Sequence, residues 1–529
     1  MSAETQAAEF VPVPNLERVM YQGGLATRKL TIVSPPDISG VLDAAESMTG
    51  ILDPTPLEPL EFASVASGNE VMVKREDLSL VGSFKGRGAW NRMRKIPDNL
   101  RGLGARLTSS GNHSQGGAMA AWLLDIDLVA YMPLTAPHEK VRATEKWGAT
   151  VVQAGDNYSE AAQYANELHR GDPRPDIHPY DHEDVIDGQA TAALEILAEY
   201  PDLTHIFIPG GGGGYSAGVG KTIKHERPEV QVIVVEPEGS NAIQLGYIAG
   251  EPVPLPQPPT LFADGVAVRQ VGNVTLPHIL RNVDGVITVS KDEMITALTS
   301  FFNEKKKMLE PAGILAIAGA LKYAQITGCE GQKFVTLASG STISAGKAGE
   351  ILKRGEELTG HEALFSVKIS EEPGSLRRFG KEVVGKRNIT ELMYSRDDPE
   401  LATIQIGFSV NGGGDRGQFV ERLTEDGYDY IDRTADADFK DYERSVLNRG
   451  KEAVDGIAYV IDLPERAGAL VDLLDTLGDN WDISEIIYAT HRSETGSPRI
   501  TFSSSNRQQL EGCLEQAGYS YRAVQPSKR

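Results

Sequence analysis

A lysine in a glycine-lined stretch is the first residue of this chain that could do chemistry. In GSFKGRGAW, Lys85 stands between Phe84 and Gly86, directly ahead of a segment expected to be helical. A lysine shielded from water beside an aromatic ring loses its proton more readily than an exposed one, and it can then form an imine with a carbonyl group. A surface lysine at a helix start is the plainer interpretation, and Lys85 taken alone favours it.

A second stretch, TSSGNHSQGG, combines small hydroxyl residues with a glycine ahead of another expected helix. The free N–H groups of a helix start can hold an anion such as a carboxylate. Ser109, Ser110 and Gly111 would form that start, and Asn112 and His113 would add directional polar contacts. An ordinary N-capped helix explains the serines equally well but gives the other two residues no task.

Five consecutive glycines, Gly210–Gly214, lie between an expected strand and an expected helix. Without Cβ atoms, their N–H groups can converge on a phosphate beside the positive end of the helix dipole. A dinucleotide site is the rival interpretation, because a G-x-G-x-x-A pattern ends at Ala217 and Glu236 closes the next strand. That rival explains neither Lys85 nor Asn112.

The stretch TLASGSTIS ends a strand in a Ser/Gly turn, where the hydroxyl of Ser339 could hydrogen-bond a ring nitrogen. An isolated turn of this kind can equally be only a turn. No metal constellation is predicted, because Pro179 disfavours a helix that would bring His178 and His182 onto one face. A GxSxG nucleophile motif is also missing.

The elements that must position these residues follow an α/β rhythm from about residue 40 to residue 355. His205–Pro209 has the pattern of a buried strand, a helix follows the glycines, and Val230–Glu236 reads as the next strand. This order predicts a βαβ unit in a parallel sheet. The proline-rich segment Glu251–Thr260 is expected to be a surface loop.

The remainder of the chain is a duplication. FSVKISEEPGSL at 365–376 aligns with YVIDLPERAGAL at 459–470, and NITELMYS at 388–395 aligns with DISEIIYA at 482–489, in both cases 94 residues later. A constant offset across several landmarks predicts two copies of one small α+β module, residues 361–450 and 451–529.

Composition limits the classes of function. A formal net charge of −22 opposes binding to nucleic acid or anionic lipid, and no apolar run is long enough to span a membrane. Two isolated cysteines, Cys329 and Cys513, favour a reducing compartment, so a cytoplasmic location is expected. Residues 1–39 are interpreted as an N-terminal extension without a secretory signal.

Taken together, these stretches resemble one enzyme family. KREDLSLVGSFKGRGA, SSGNHSQG, YDHEDVIDGQAT, PGGGGGYSAG, LFADGVAV and EPAG occur in the order typical of pyridoxal-phosphate enzymes of the tryptophan-synthase-β class, fold type II, and most closely of biosynthetic threonine dehydratases. The resemblance implies a two-lobed α/β catalytic domain with parallel-rich sheets at residues 40–360. The duplicated tail resembles the paired ACT-like regulatory domains of the long form of that family.

The resemblance also implies an activity, the deamination of L-threonine, with serine as a further candidate substrate, to 2-oxobutanoate and ammonia in isoleucine biosynthesis. Lys85 would carry pyridoxal 5'-phosphate and move the Cα proton. The other implied contacts are Gly211, Gly212, Gly213, Gly214 and the N–H of Tyr215 for the phosphate, Asn112 for the ring 3-hydroxyl, Ser339 for the ring nitrogen, and Ser109, Ser110, Gly111 and His113 for the substrate carboxylate.

Regulation by isoleucine, opposed by valine, is implied for the tail, as is a homotetramer. Tyr394 and Tyr488 occupy the positions that match the effector sites, although packing is an equally good interpretation of both tyrosines. Ser395 and Ala489 follow them where relatives often carry arginine, and Ser341 and Thr342 depart from the family pattern after Ser339.

Several alternatives remain open on the sequence. Within the same fold, a serine dehydratase, a serine racemase or a threonine-synthase-like enzyme would use the same lysine and the same glycine loop. An NAD-binding oxidoreductase would use the glycine loop alone. A non-enzymatic amino-acid sensor would use only the tail.

Overall fold

The computed structural model forms two compact units, Met1–Leu352 and Lys353–Arg529. The residues that it describes are 20–28, 30, 34–109, 111–358, 362–372, 374–396, 401–410, 414–434, 457–461, 463–464, 468–478, 481, 483–489, 495–496, 498–502 and 507–523. Among these described residues, no helix is long and apolar enough to cross a membrane.

The first unit contains two sheets. Its strands are β1 (Met20–Gln22), β2 (Leu25–Thr27), β3 (Leu57–Pro59), β4 (Glu70–Lys74), β5 (Ala105–Thr108), β6 (Leu128–Met132), β7 (Thr150–Gln153), β8 (His205–Pro209), β9 (Gln231–Pro237), β10 (Gly285–Val289) and β11 (Lys333–Leu337).

Helices cover both sheets. They are α1 (Ser39–Met48), α2 (Glu61–Ser67), α3 (Lys85–Arg94), α4 (Asp98–Arg101), α5 (Asn112–Leu124), α6 (His138–Glu145), α7 (Tyr158–Leu168), α8 (Glu183–Glu199), α9 (Gly214–Glu226), α10 (Ala242–Ala249), α11 (Thr275–Asn282), α12 (Lys291–Lys305), α13 (Leu315–Thr327) and α14 (Ala345–Leu358), with single 3₁₀ turns at Glu76–Leu78 and Asp264–Val266.

The larger sheet has the strand order β1-β2-β10-β9-β8-β11-β4-β3. Its five central strands, from β10 to β4, run parallel, and the strands outside them pair antiparallel. Strands β8 to β11 are buried over nearly their whole length, as expected of Val- and Ile-rich strands covered by helices on both faces. The predicted βαβ unit is confirmed, with α9 joining β8 to β9.

The smaller sheet, β5-β6-β7, is also parallel. Strands β4, β5, β8 and β11 each end shortly before one of the candidate stretches. Because ligands of parallel sheets bind beyond the carboxyl ends of the strands, this arrangement brings four separate chain segments to one place. Residues 251–260 form no helix or strand, as the prolines predicted.

Helix α3, which begins at Lys85, packs between two other helices at glycine positions. A Cβ at Gly116 of α5 would lie 2.9 Å from the carbonyl carbon of Lys85, and a Cβ at Gly188 of α8 would lie 2.8 Å from the Cβ of Asn91. Side chains at these crossings would push the helices apart, so the glycines fix where the lysine enters the site.

The described part of the N-terminal segment joins the large sheet. Strands β1 and β2 form a hairpin, and β2 pairs antiparallel with β10 at the edge of the large sheet. The guanidinium of Arg28 lies 5.1 Å from the ring centroid of Tyr247. Residues 20–27 therefore extend the sheet.

The second unit contains the strands and helices of the duplicated tail. They are β12 (Glu362–Ser370), α15 (Ser375–Phe379), β13 (Ile389–Arg396), β14 (Leu401–Ser409), α16 (Asp415–Glu425), β15 (Asp429–Asp432), β16 (Ile457–Ile461), β17 (Leu463–Pro464), α17 (Ala469–Leu477), β18 (Ile483–Ala489), β19 (Thr495–Gly496), β20 (Arg499–Phe502), α18 (Arg507–Gln516) and β21 (Tyr521–Ala523), with a π-helical turn at Gly380–Val384.

The duplication predicted from the sequence is confirmed by these elements. Each copy runs strand, helix, strand, strand, helix, strand, and α15 and α17 begin 94 residues apart. The eight main strands form one antiparallel sheet in the order β15-β12-β14-β13-β18-β20-β16-β21. The copies meet at β13 and β18, where Met393 pairs with Ile487, its own counterpart in the repeat.

Buried aromatic side chains form the centre of the hydrophobic core of the first copy. Phe408 is fully buried, and its ring centroid lies 4.6 Å from that of Phe419 and 6.1 Å from that of Phe365. The guanidinium of Arg387 stands 5.4 Å from the Phe408 ring. One large ring thus holds two strands and a helix together.

The substitution Phe408→Ala should destabilise this copy by about 3–5 kcal/mol, because it removes a ring from a packed core and leaves a cavity. Hydrogen–deuterium exchange of peptides from β12 and β14 in the full chain measures the loss. Ile431→Ala on β15 is the matched control; its side chain is 51% exposed, and its effect should stay within about 0.5 kcal/mol. Equal exchange in the two variants would contradict this account of the core.

Candidate functional site

Lys85 is the first residue of α3 and points into the cleft between the two sheets of the first unit. Its Nζ lies 3.1 Å from the carbonyl oxygen of Pro179 and 5.0 Å from the ring centroid of Phe84. Loss of contact with bulk water lowers the pKa of this amine to about 8, and the more distant carboxyl of Glu310 opposes the shift. A neutral, nucleophilic amine is therefore accessible near physiological pH.

The stretch expected to hold a carboxylate forms the start of α5. Ser109 is buried and its Oγ accepts a hydrogen bond of 3.0 Å from the N–H of Gly111. Helix α5 begins at Asn112, so the N–H groups of its first turn face the same cleft. Ser110, which belongs to the same expectation, lies outside the described residues.

His113 lines the cleft as a neutral ring. Burial lowers the pKa of its imidazole to about 3, aided by the nearby Lys85 amine. Its Nε2 lies 2.8 Å from the carbonyl oxygen of Ile177 and therefore carries the proton. The buried Nδ1, which has no hydrogen-bond partner among the described residues, is left as an acceptor. An acceptor nitrogen cannot donate a hydrogen bond to a carboxylate, so an anion at this loop would have to be held by N–H groups and the hydroxyl of Ser109.

Asn112 contacts an acidic residue that the sequence did not single out. Its Nδ2 donates a 2.5 Å hydrogen bond to Oε1 of Glu310, while no described residue is a hydrogen-bond partner of its buried Oδ1. Lys140 joins this group, with Nζ 2.8 Å from Asp264 and 3.9 Å from Glu310. Glu310 lies in the EPAG stretch and Asp264 in LFADGVAV. The position of these two stretches in the motif order was the only sequence feature that pointed to the two acids.

The glycine loop has a backbone that no side chain could follow. Gly211 and Gly213 have φ values of +106° and +95°. A Cβ at Gly212 would overlap the ring of Tyr180, and one at Gly214 would come within 3.0 Å of the same residue. Helix α9 begins at Gly214, which leaves the N–H groups of its first turn, including that of Tyr215, open to an anion.

Glu236 occupies the position on which the dinucleotide interpretation depends. Its carboxylate is fully buried and accepts hydrogen bonds from the N–H groups of Ile243, at 3.0 Å, and Gln244, at 2.8 Å. A further bond comes from the N–H of Gly211, which takes that glycine away from the cleft. A carboxyl group that is fully buried and engaged in this way is not open to a ribose, so the structure disfavours the oxidoreductase.

The remaining wall of the cleft is formed by an aromatic pair and a serine. Phe84 and Tyr215 stack with their ring centroids 4.1 Å apart and an interplanar angle of 8°. Ser339 is buried, and its Oγ lies 3.3 Å from the carbonyl oxygen of Ala312. Lys85, Asn112, Gly212–Gly214, Tyr215 and Ser339 thus line one cavity.

These features fit a flat phosphorylated aldehyde. The loop before α9 offers N–H groups to a phosphate, Asn112 and Ser339 offer polar atoms to a ring, and Lys85 offers an amine to a carbonyl. Asn112 Oδ1 and His113 Nδ1 lack a partner within the described part of the chain, and two such buried polar atoms suit a cavity that takes a polar ligand. Pyridoxal 5'-phosphate has all three groups.

The second unit contains a cavity of about 240 Å³ beside Tyr394. The hydroxyl of Tyr394 donates a 2.5 Å hydrogen bond to Oε2 of Glu371. Leu474, Leu477 and Trp481 from the second copy form an apolar wall opposite. Tyr488 is also buried, and it pairs with Leu392 across the junction of the two copies.

Comparison with protein families gives two matches. Residues 48–340 match the family described as pyridoxal-phosphate dependent enzyme. Residues 353–442 and 443–529 each match the C-terminal regulatory domain of threonine dehydratase. Together these matches cover most of the first unit and all of the second.

Similar proteins are known from bacteria and plants. The chain is 36% identical to L-threonine dehydratase biosynthetic IlvA of Burkholderia multivorans, over 88% of this chain and 93% of that protein. It is 33% identical to the Escherichia coli protein of the same name, over 91% of this chain and 96% of that protein.

Solved structures agree with the sequence matches. The processed form of threonine deaminase isoform 2 from Solanum lycopersicum aligns with a TM-score of 0.58 and 33% identity, over 61% of this chain and 96% of that one. Maize serine racemase aligns with a TM-score of 0.57 and 26% identity, over 62% and 100%. The chain therefore belongs to the pyridoxal-phosphate-dependent enzymes and, among them, to the biosynthetic threonine dehydratases with paired C-terminal regulatory domains.

Proposed function

We propose that the first unit deaminates L-threonine to 2-oxobutanoate and ammonia, with Lys85 as the residue that carries pyridoxal 5'-phosphate. The observation that carries the proposal is the convergence of this amine, the Asn112 loop and the glycine loop on one cavity. When bound, the cofactor withdraws electrons from the substrate Cα, so that the Cα proton and then the β-hydroxyl can leave.

Lys85 is proposed to move the Cα proton. A group that must both take and return a proton works best with a pKa near the operating pH. The pKa of about 8 places the amine in that range. The nearby Pro179 carbonyl oxygen can accept a hydrogen bond from the amine, which orients it while it is free.

Gly212, Gly213, Gly214 and the N–H of Tyr215 are proposed to hold the phosphate, with Gly211 supporting the loop through its bond to Glu236. The hydroxyl of Thr275 donates a 2.8 Å hydrogen bond to the carbonyl oxygen of Gly212 and so points that carbonyl away from the anion. Helix α9 adds the positive end of its dipole.

The substrate carboxylate is proposed to lie at the start of α5, held by Ser109, Ser110 and the N–H groups of Gly111 and of the first turn of the helix. His113 holds this turn in place through its bond to Ile177. Asn112 contacts the ring 3-oxygen, and Ser339 faces the ring nitrogen as a neutral partner. Serine remains a second substrate, because one methyl group changes transition-state binding by only about 1–3 kcal/mol.

Isoleucine and valine are proposed as effectors of the second unit, at sites that include Tyr394 and Tyr488. The support for this proposal is the cavity beside Tyr394, which combines carboxylates and a hydroxyl with an apolar wall. An amino acid with a branched apolar side chain has the complementary groups. Coupling between such a site and the active site is what regulation by an effector requires.

We further propose domain boundaries at residues 39, 360 and 450, a homotetramer, and a cytoplasmic location. The boundaries rest on the change of pattern along the chain and on the repeat. The tetramer rests on the resemblance to the family. The location rests on the two unpaired cysteines, Cys329 and Cys513, which suit a reducing compartment.

Steady-state turnover of threonine, measured as 2-oxobutanoate, tests the proposal, and Lys85→Ala should lower it at least a hundredfold because the proton-transfer group is lost. Lys95→Ala is the matched control at the far end of α3, where the side chain pairs with Asp43 and Asp184 on the surface. Turnover of the control should stay within about twofold, as expected for a surface ion pair. Full turnover in Lys85→Ala, or no keto acid from threonine or serine in the wild type, would refute the proposal.

The substitution Gly212→Ala should weaken binding of the cofactor at least tenfold, because the new methyl group overlaps the Tyr180 ring and displaces the loop. Equilibrium dialysis of pyridoxal 5'-phosphate measures the dissociation constant. Gly346→Ala in α14 is the control, since a Cβ there meets no atom of a described residue within 4 Å. Unchanged affinity of Gly212→Ala for pyridoxal 5'-phosphate would show that this loop does not bind the phosphate.

The substitution Tyr394→Phe should raise the isoleucine concentration that halves threonine turnover by at least about fivefold, because the hydroxyl bonded to Glu371 is lost. Tyr521→Phe is the control, as it removes a hydroxyl that is bonded to Glu515 on the protein surface. An unchanged isoleucine response in Tyr394→Phe would assign Tyr394 to packing alone.

A further inference from the structure

Glu310 is a buried acid to which the proposed reaction assigns no role. It lies between α12 and α13 and is 2% exposed. A Cβ at Gly265 would come within 3.6 Å of its Oε1, and a Cβ at Gly340 would overlap the same oxygen. The carboxyl group is thus packed against backbone on this side. Its protonation state therefore depends on the side chains that face it from the cleft.

Its main partner is the carboxamide of Asn112. A carboxylate only accepts hydrogen bonds, so an ionised Glu310 requires the Nδ2 of Asn112 to face it, as the 2.5 Å contact shows. The second proton of that Nδ2 remains free to donate. The reversed carboxamide would place two acceptor oxygens against each other, which the ionised form does not allow.

Charged groups from four elements face this carboxyl. Lys140 of α6 stands 3.9 Å from its Oε2, Asp264 pairs with Lys140, Lys347 of α14 approaches Asp264 at 4.0 Å, and Lys85 lies across the cleft. Burial outweighs the attraction of the lysines and, with Asp264, raises the pKa of Glu310 to about 7. Both protonation states are therefore populated at neutral pH.

We propose that Glu310 is a positioning residue that fixes which atom Asn112 presents to the cofactor ring, and that a proton gained by Glu310 releases this constraint. The inference rests on the proposed role of Asn112 at the ring 3-oxygen. With Glu310 ionised, Asn112 donates an N–H to that oxygen and stabilises its anion. With Glu310 protonated, the carboxyl can donate to Asn112 Oδ1, and the carboxamide reverses.

The visible absorption of the bound cofactor reports this change without substrate. An imine on Lys85 absorbs in the visible when the imine nitrogen holds the proton and the ring 3-oxygen is an anion. It absorbs in the near ultraviolet when that proton lies on the ring 3-oxygen instead. Titration of the holoenzyme between about pH 6 and pH 9 should show the visible band growing as pH rises, with a midpoint near the Glu310 pKa of about 7. The visible band grows with rising pH because the ionised form of Glu310 holds the N–H donor of Asn112 toward the ring 3-oxygen.

Three variants separate positioning from mere packing. Glu310→Gln keeps the shape but cannot titrate, so this midpoint should disappear while circular dichroism stays unchanged. Lys347→Gln, outside the cofactor cavity, removes a charge that favours the ionised form, so the midpoint should rise by about half a pH unit. In an Asn112→Ala background, Glu310→Gln should change the spectrum no further, because the carboxyl acts through Asn112.

Each other outcome counts against the inference. A midpoint retained in Glu310→Gln, a midpoint unmoved in Lys347→Gln, or an additive effect of Glu310→Gln in the Asn112→Ala background would overturn it while the proposed function stands. A wild-type protein with no visible band in the presence of pyridoxal 5'-phosphate would overturn both.

Discussion

One constraint governs the active site: an amine must be kept from bulk water without a carboxylate in contact with it. Among the described residues, the nearest hydrogen-bond partner of the Lys85 amine is the Pro179 carbonyl oxygen. A carboxylate at that distance would stabilise the ammonium and raise its pKa, and the amine would lose its nucleophilic form. Glu310 is close enough for its charge to raise the pKa of the amine, but its carboxyl group accepts a hydrogen bond from Asn112 and not from Lys85.

The fold satisfies this constraint by assembling the site from the ends of strands. Strands β4, β5, β8 and β11 each contribute the segment that follows them, and each segment can therefore differ in chemistry. Helix starts at Asn112 and Gly214 supply anion contacts from backbone atoms, which need no further charged side chain near the amine. Glycines at the crossings of α3 with α5 and α8 then set the depth of Lys85.

The sequence predicted those parts of the protein whose signals are local or repeated. A run of glycines after an apolar strand indicates an anion site by itself, and the 94-residue offset indicates a duplication without any structure. The contact of Asn112 with Glu310 joins residues 198 positions apart, and no local periodicity encodes such a contact. The pairing of β13 with β18 and the docking of the hairpin at residues 20–27 are likewise products of assembly.

The pairing of Met393 with Ile487 places a local two-fold axis between the copies of the regulatory unit. Strand β13, which carries Tyr394, and strand β18, which carries Tyr488, share one ladder of backbone hydrogen bonds across that axis. A shift of either strand must be accommodated by the other, since paired strands keep their spacing. The two copies are thus joined through one continuous sheet within one polypeptide.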